Sequence, residues 1–156
     1  MTPIIHDDVL PSPLAYRAAC LAMPFRTHEL AEGVAFHGIG QQPDRSLPDW
    51  IEAHYPGLSV VTSLTRLSPL GQPCPNFVHT DVDMGDVTGI FYLNPDPPAE
   101  DGTQFYRHRE TGREVSMATD ALDRIEEGFQ WRDLANWTRM AMVPAKFNRL
   151  VLFPAG

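Results

Sequence analysis

The most informative stretch of this sequence is residues 75–94, which read PNFVHTDVDMGDVTGIFYLN. The pattern predicts an extended segment that ends at His79, a loop centred on Gly85, and an apolar strand from Val87 to Leu93. Residues two apart in a strand point to the same face. His79 and Asp81 can therefore offer an imidazole nitrogen and a carboxylate oxygen to one metal ion.

The residue types of this pair indicate which metal it suits. An imidazole and a carboxylate suit Fe(II), whereas thiols would indicate zinc and additional carboxylates calcium. Two histidines and one carboxylate form the facial triad of non-haem Fe(II) oxygenases, which leaves positions open for a co-substrate and dioxygen. His79 and Asp81 would supply two of the three ligands. The alternative is a polar pair in a loop at a strand end, because His-x-Asp is common by chance.

Length and composition indicate a single globular domain. The chain has 156 residues, and its 15 prolines and 11 glycines predict many turns and short strands. A net charge of -8 disfavours binding to duplex nucleic acid, because the phosphate backbone would repel it. No apolar run is long enough to cross a bilayer and no signal peptide is recognisable, so the expected location is the cytoplasm, without a membrane partner.

The first part of the chain, residues 1–57, is predicted to be mainly helical and to pack outside a sheet. Ser12 as N-cap and Pro13 at the first helical position introduce an apolar segment that reads as a helix. A second short helix is predicted from Leu47 to Tyr55. The glycines and prolines of residues 33–48 predict a loop between the two helices.

Residues 58–156 are predicted to form a mainly β core. Strands are expected in the β-branched stretch 58–67 and in residues 103–107. The apolar run 147–153 is typical of a strand that is buried on both faces. Apolar residues at near-helical spacing predict a helical insertion at about residues 119–140. Short strands with proline and glycine turns favour a jelly roll, the architecture that cupins also use.

Four segments of the sequence, taken in order, resemble the Fe(II)- and 2-oxoglutarate-dependent dioxygenases, particularly the branch resembling prolyl hydroxylases. They are His79–Asp81, Ile90–Asn94, Gly102–Phe105 and Phe147–Phe153. Together they span about the C-terminal half of the chain. The resemblance implies a double-stranded β-helix and an enzyme that uses Fe(II) and 2-oxoglutarate to hydroxylate a small-molecule or peptide substrate.

The resemblance also implies roles for individual residues. His79 and Asp81 would bind the iron, and Tyr92 would contact the distal carboxylate of 2-oxoglutarate. Iron and co-substrate carry out the chemistry in such enzymes, so no catalytic side chain is assigned. In the family, the strand that matches Leu150 to Phe153 is followed by a second iron-binding histidine and a basic residue that pairs with 2-oxoglutarate. Both are expected beyond Gly156, so the fold is expected to lack its last two strands here and to expose an open edge.

Several alternatives stay open at this point. Tyr92 could be an ordinary inward-facing aromatic of a sheet, and Thr88 and Asn94 are weaker candidates for positions beside the metal or in turns. His108 is the least implausible replacement for the missing third ligand. A second hypothesis for the whole protein is a non-catalytic jelly-roll module that binds a ligand or partner and retains a degenerate metal site.

Overall fold

The computed structural model describes residues 2–29, 35–68, 78, 81, 84–114 and 134–155. Within these residues the chain is mainly β, with two α-helices and three small antiparallel sheets. The elements are β1 (Ile4–His6), α1 (Pro13–Ala22), β2 (Arg26–Glu29), β3 (Ala35–Gly40), α2 (Ser46–His54), β4 (Thr65–Arg66), β5 (Val87–Tyr92), β6 (Gly102–His108), a short 3-10 helix (Leu134–Asn136), β7 (Trp137–Pro144) and β8 (Arg149–Pro154). Neither α-helix in the described part of the chain could span a membrane.

The chain divides into two compact units. The major unit comprises Met1–Val9 and Asn76–Gly156, and the minor unit comprises Leu10–Pro75. β1 belongs to the major unit together with β5, β6, β7 and β8, whereas both α-helices and β2, β3 and β4 belong to the minor unit. The N-terminal strand therefore folds with the C-terminal part of the chain, which no local feature of the sequence indicates.

The central strand of the major unit is β8, which lies between β1 and β5 in an antiparallel sheet. Leu150 and Val151 are 0% exposed and Leu152 is 4% exposed. Consecutive residues of a strand point to opposite faces, so both faces of β8 are buried. The prediction for residues 147–153 is thereby confirmed. Because β8 has a paired neighbour on each side, the expected open edge does not lie beside this strand.

The second sheet of the major unit consists of β6 and β7, in which Thr103 lies opposite Val143. Both of these residues are buried. At Gly102 the two backbones approach so closely that a Cβ atom would lie 2.2 Å from the carbonyl oxygen of Val143, so only glycine fits there. The strand predicted over residues 103–107 is confirmed as part of β6.

Side chains connect the two sheets of the major unit. Thr88 and Tyr92 lie on one face of β5, and Thr88 is opposite Phe153 of β8, so Phe153 shares that face. The ring of Phe105 from β6 meets Phe153 edge-on, with centroids 5.1 Å apart. The hydroxyl oxygens of Tyr92 and Thr103 are 2.5 Å apart. These two contacts connect β6 to β5 and to β8.

The minor unit contains the sheet β2-β3-β4 and both helices. α1 begins as predicted, with Ser12 as its N-cap and Pro13 in its first turn, and α2 confirms the second predicted helix. In each helix, buried side chains are one turn apart, which shows that each helix buries one face. These buried residues are Tyr16 and Cys20 in α1 and Leu47 and Ile51 in α2.

Some predictions for the first 68 residues are wrong. The segment 33–48, predicted as a loop, contains strand β3. In the segment 58–67, predicted as a strand, only Thr65–Arg66 pairs with another strand. Residues 1–57 contain the two predicted helices and, in addition, β1, β2 and β3. The β-branched residues of segment 58–67 have a propensity for an extended backbone. A strand forms only where a neighbouring strand supplies hydrogen-bond partners.

The helix predicted over residues 119–140 is wrong at its C-terminal end. Leu134–Asn136 forms a 3-10 turn, and from Trp137 onward the chain forms β7, which pairs with β6 along its length. Residues 119–133 lie outside the described part of the chain, as does most of the strand that was predicted to end at His79. Pairing with β6 outweighs the weak helical spacing of the apolar residues at this end.

Candidate functional site

Asp81 lies where the end of β8 meets the approach to β5. Its backbone N–H donates to the carbonyl oxygen of Ala155 at 3.0 Å, and its own carbonyl oxygen accepts the N–H of Met84 at 2.8 Å. The N–H of Ala155 in turn donates to the carbonyl oxygen of Asp86 at 3.0 Å. These three backbone bonds hold Asp81 in place although it is not part of a strand.

The Asp81 carboxylate accepts a hydrogen bond from Thr88, whose Oγ1 lies 3.2 Å from Oδ2. Both residues are half-buried. The bond joins the carboxylate to strand β5, because Thr88 is a residue of that strand. The contact places Thr88 beside Asp81, and whether either residue lies beside a metal ion stays a prediction.

The other predicted metal ligand, His79, lies outside the described residues. The prediction that its imidazole and the Asp81 carboxylate share one ion therefore stays a prediction. Within the ranges described above, no three His, Cys, Asp or Glu side chains are grouped closely enough to hold a metal ion. Asp81 is the part of the predicted site for which the structure gives contacts.

Tyr92 lies at the opposite end of β5 from Thr88, on the same face of the strand. The two residues are four positions apart, which is about 13 Å along a strand. The phenol oxygen of Tyr92 is 2.5 Å from Oγ1 of the buried Thr103. Burial raises the pKa of the Tyr92 phenol, and the hydrogen bond with Thr103 opposes part of that rise. The phenol is therefore protonated at neutral pH and able to donate a hydrogen bond.

Arg149 is the residue opposite Tyr92 in the β5–β8 pair, and the sequence did not single it out. Its guanidinium binds Asp7 through two hydrogen bonds, from Nε to Oδ1 at 2.6 Å and from Nη2 to Oδ2 at 3.0 Å. A third bond of 3.0 Å runs from Nη1 to the carbonyl oxygen of Pro144. Lys146 also contacts Asp7, with Nζ 2.7 Å from Oδ2. We call Asp7, Lys146 and Arg149 the ion cluster.

The ion cluster joins the residue after β1 to the start of β8. Hydrogen bonds from Arg149, and then from Lys146, hold the pKa of the Asp7 carboxyl well below its usual range. The same pairing with Asp7 raises the pKa of Arg149. Only 17% of the Arg149 side chain is exposed, so this pair is less screened by solvent than an ordinary surface ion pair. The guanidinium of Arg149 therefore forms its hydrogen bonds with Asp7 and Pro144, next to Tyr92.

The other candidate residues from the sequence have local contacts. The Asn94 side chain accepts the N–H of Asp96 at 3.3 Å, which is a turn contact. Nδ1 of His108 lies 3.0 Å from Oγ1 of Thr111, and its ring meets Trp137 edge-on with centroids 4.9 Å apart. His108 is therefore part of the turn that follows β6.

A hollow lies on the sheet formed by β6 and β7 and has a volume of about 50 Å³. Typical small-molecule sites have volumes of about 300–1,000 Å³, so this hollow is too small to hold a substrate by itself. Five residues line it: Phe105, Tyr106, Glu114, Met140 and Ala141.

The described part of the major unit defines the class of protein as an antiparallel β protein with a half-buried carboxylate and a half-buried phenol associated with one strand, β5. The chain belongs to a family of unknown function, DUF6445, whose sequence model matches residues 50–156. The matched range includes Asp81, Thr88, Tyr92 and Arg149. No curated protein and no solved structure matches the chain.

Proposed function

We propose that the protein is an Fe(II)- and 2-oxoglutarate-dependent dioxygenase that hydroxylates a small-molecule or peptide substrate. In this proposal the fold is a single-domain double-stranded β-helix, and the iron is bound by His79 and Asp81. The observation that carries the proposal is that one face of β5 presents Thr88, which contacts Asp81, and Tyr92, which offers a protonated phenol.

The arrangement of the two sheets supports this fold. In the major unit, β5 and β8 are antiparallel neighbours, and their common face meets β6 through Tyr92 and Phe153. Three of the four segments that resemble the dioxygenases thus contact one another. Two facing antiparallel sheets are the basic arrangement of a jelly roll, because each sheet covers the apolar face of the other.

The donor groups suit the metal. Asp81 offers a hard carboxylate oxygen, and the imidazole of His79 would add a nitrogen ligand of the kind that Fe(II) binds. Fe(II) with 2-oxoglutarate supplies, when bound, the oxidation of a C–H bond by dioxygen. In this proposal a second histidine completes the iron ligands and a basic residue pairs with 2-oxoglutarate.

The protein contributes binding and orientation. Asp81 would bind the metal, and its fixed backbone would limit where the carboxylate can move. Tyr92 would donate its phenolic proton to the distal carboxylate of 2-oxoglutarate, because burial keeps this phenol protonated at neutral pH. Arg149 has its guanidinium bound to Asp7 and is therefore a poor candidate for the basic residue that pairs with the co-substrate.

The test measures release of succinate from 2-oxoglutarate by the full-length protein with Fe(II) under air. We expect turnover by the wild type and none by Asp81→Ala, because the substitution removes the anionic ligand. Asp86→Ala is the matched control, since Asp86 is exposed and its described contact with Ala155 uses only its backbone carbonyl.

Equal rates for the wild type and Asp81→Ala would contradict the proposed iron site. A wild type that binds Fe(II) but releases no succinate would favour the second hypothesis, a non-catalytic jelly-roll module that binds a ligand or partner.

A further inference from the structure

We propose that Thr88 is a positioning residue for the metal-binding carboxylate: its hydroxyl fixes the orientation of Asp81 and thereby sets the affinity of the protein for a divalent metal ion. This inference rests on the proposed function, because it concerns the carboxylate assigned there as a ligand. Its basis is the hydrogen bond from Thr88 Oγ1 to Asp81 Oδ2, which is 3.2 Å long.

The backbone of Asp81 is already fixed, but its carboxylate is not fixed by the backbone alone. Hydrogen bonds with Ala155 and Met84 hold the main chain of Asp81 on both sides of its Cα atom. These backbone bonds do not restrict the two torsions of the side chain, and the terminal rotation of a carboxylate is intrinsically broad. The bond from Thr88 restricts these rotations, because it binds one oxygen and so directs the plane of the carboxylate.

Thr88 is itself held in a defined position. It lies in β5, opposite Phe153 of the central strand β8. Phe153 in turn contacts Phe105 of the second sheet, so the strand that pairs with Thr88 is itself connected to β6. Threonine is β-branched and has few accessible rotamers in a strand, so its hydroxyl points in a defined direction. A donor held in this way can orient a more mobile partner.

The chemical effect follows from how carboxylates bind metals. A ligating carboxylate that is hydrogen-bonded by a neighbouring residue binds its metal more tightly, and loss of such a partner costs about 10–100-fold in affinity. The hydroxyl occupies one lone pair of Oδ2 and is neutral, so this bond adds no positive charge beside the carboxylate.

A purely structural role for Thr88 makes a different prediction. In that case the hydroxyl would only connect Asp81 to β5, and its removal would lower stability without a separate effect on metal affinity. Two substitutions separate these possibilities. Thr88→Val keeps the branched shape and removes the hydroxyl, whereas Thr88→Ser keeps the hydroxyl and removes a methyl group.

The experiment titrates the full-length wild type, Thr88→Val and Thr88→Ser with Mn(II) as a redox-stable substitute for Fe(II), and follows binding by calorimetry. We expect Thr88→Val to bind Mn(II) about 10–100-fold more weakly than the wild type. Thr88→Ser should retain most of the wild-type affinity. Thermal unfolding of each metal-free protein shows whether a change in affinity arises from a change in stability.

The outcomes decide the two proposals separately. Equal Mn(II) affinity of the wild type and Thr88→Val overturns the role of Thr88, as does a loss in Thr88→Ser as large as that in Thr88→Val. If Thr88→Val does not fold, Thr88→Ala, compared with Thr88→Ser, takes its place. A wild type that does not bind Mn(II) overturns both proposals. A wild type that binds Mn(II) but never releases succinate overturns only the dioxygenase, and the Thr88 variants still decide the positioning role.

Discussion

A carboxylate lies near each end of β5, and the two carboxylates contact different kinds of hydrogen-bond donor. Near the start of β5, Asp81 accepts a bond from the neutral hydroxyl of Thr88. Near its end, Asp7 is held by two cations, Lys146 and Arg149, beside Tyr92. The Thr88 hydroxyl itself brings no charge to its carboxylate partner, whereas Lys146 and Arg149 balance the charge of Asp7 within the fold. The proposed function assigns metal binding to Asp81, and the ion pairs of Asp7 contribute to stability.

The largest expected effect on stability comes from a substitution in the central strand β8, which pairs with β5 along its whole length. Leu150→Ala should lower the free energy of unfolding by about 3 kcal/mol, because Leu150 is fully buried and the substitution leaves a cavity. Urea denaturation measures this loss. Leu134→Ala is the control, since Leu134 is 38% exposed and should change stability by less than about 0.5 kcal/mol. A loss below about 1 kcal/mol for Leu150→Ala would contradict this expectation.

The next effect tests the ion cluster alone. Arg149→Met should lower the free energy of unfolding at pH 7 by about 1–2 kcal/mol, with allowance for solvent around the partly exposed Asp7. Arg107→Met is the matched control, because Arg107 pairs with Glu114 at an exposed position and should show no measurable loss.

The stability difference between the wild type and Arg149→Met should depend on pH, and the direction of that dependence follows from the pKa of Asp7. The folded protein lowers the pKa of Asp7, so the contribution of the cluster is present above the ordinary pKa of 3.8 and is lost as the pH falls from there toward the folded value. The difference in stability between wild type and Arg149→Met should therefore shrink in acid. A difference that stays constant from pH 7 to pH 3 would contradict the assignment of the cluster as the cause.

The smallest effect concerns Tyr92, at the stabilised end of the strand. Tyr92→Phe should lower the free energy of unfolding by about 1 kcal/mol, because it removes the hydroxyl that contacts buried Thr103. Tyr106→Phe, which removes a hydroxyl bonded to the exposed Gln104, should cost less. Denaturation curves of both variants give the two losses in free energy of unfolding. Equal losses would show that the Tyr92–Thr103 contact stabilises the fold no more than the exposed contact does.

The elements that were predicted correctly have local signals. Ser12 and Pro13 mark the start of α1, and the apolar runs at residues 87–93 and 147–153 became β5 and β8. Caps and uninterrupted apolar runs act within a few residues, so they can be recognised without knowledge of the tertiary structure. β3 and β7 were missed because their strand character depends on pairing with β2, β4 and β6.

The candidate site was predictable only in part. From the sequence, Asp81 is predicted to be a metal ligand and Tyr92 a co-substrate contact, and Thr88 is a weaker candidate for a position beside the metal or in a turn. The ion cluster was not identified, because Asp7 and Arg149 are 142 positions apart and neither lies in a recognisable motif. Whether His79 faces the same ion as Asp81 stays a prediction.

The sequence by itself determined the mainly β character of the chain, the start of α1 and the buried strand β8. Only the tertiary structure decided that β1 joins β8, that Thr88 donates to Asp81, and that Asp7 is bound by Lys146 and Arg149. The physical reason is the distance along the chain over which each kind of interaction acts. Propensity, capping and hydrophobic pattern act between near neighbours in the chain, whereas strand partners and ion pairs are chosen by packing among distant segments.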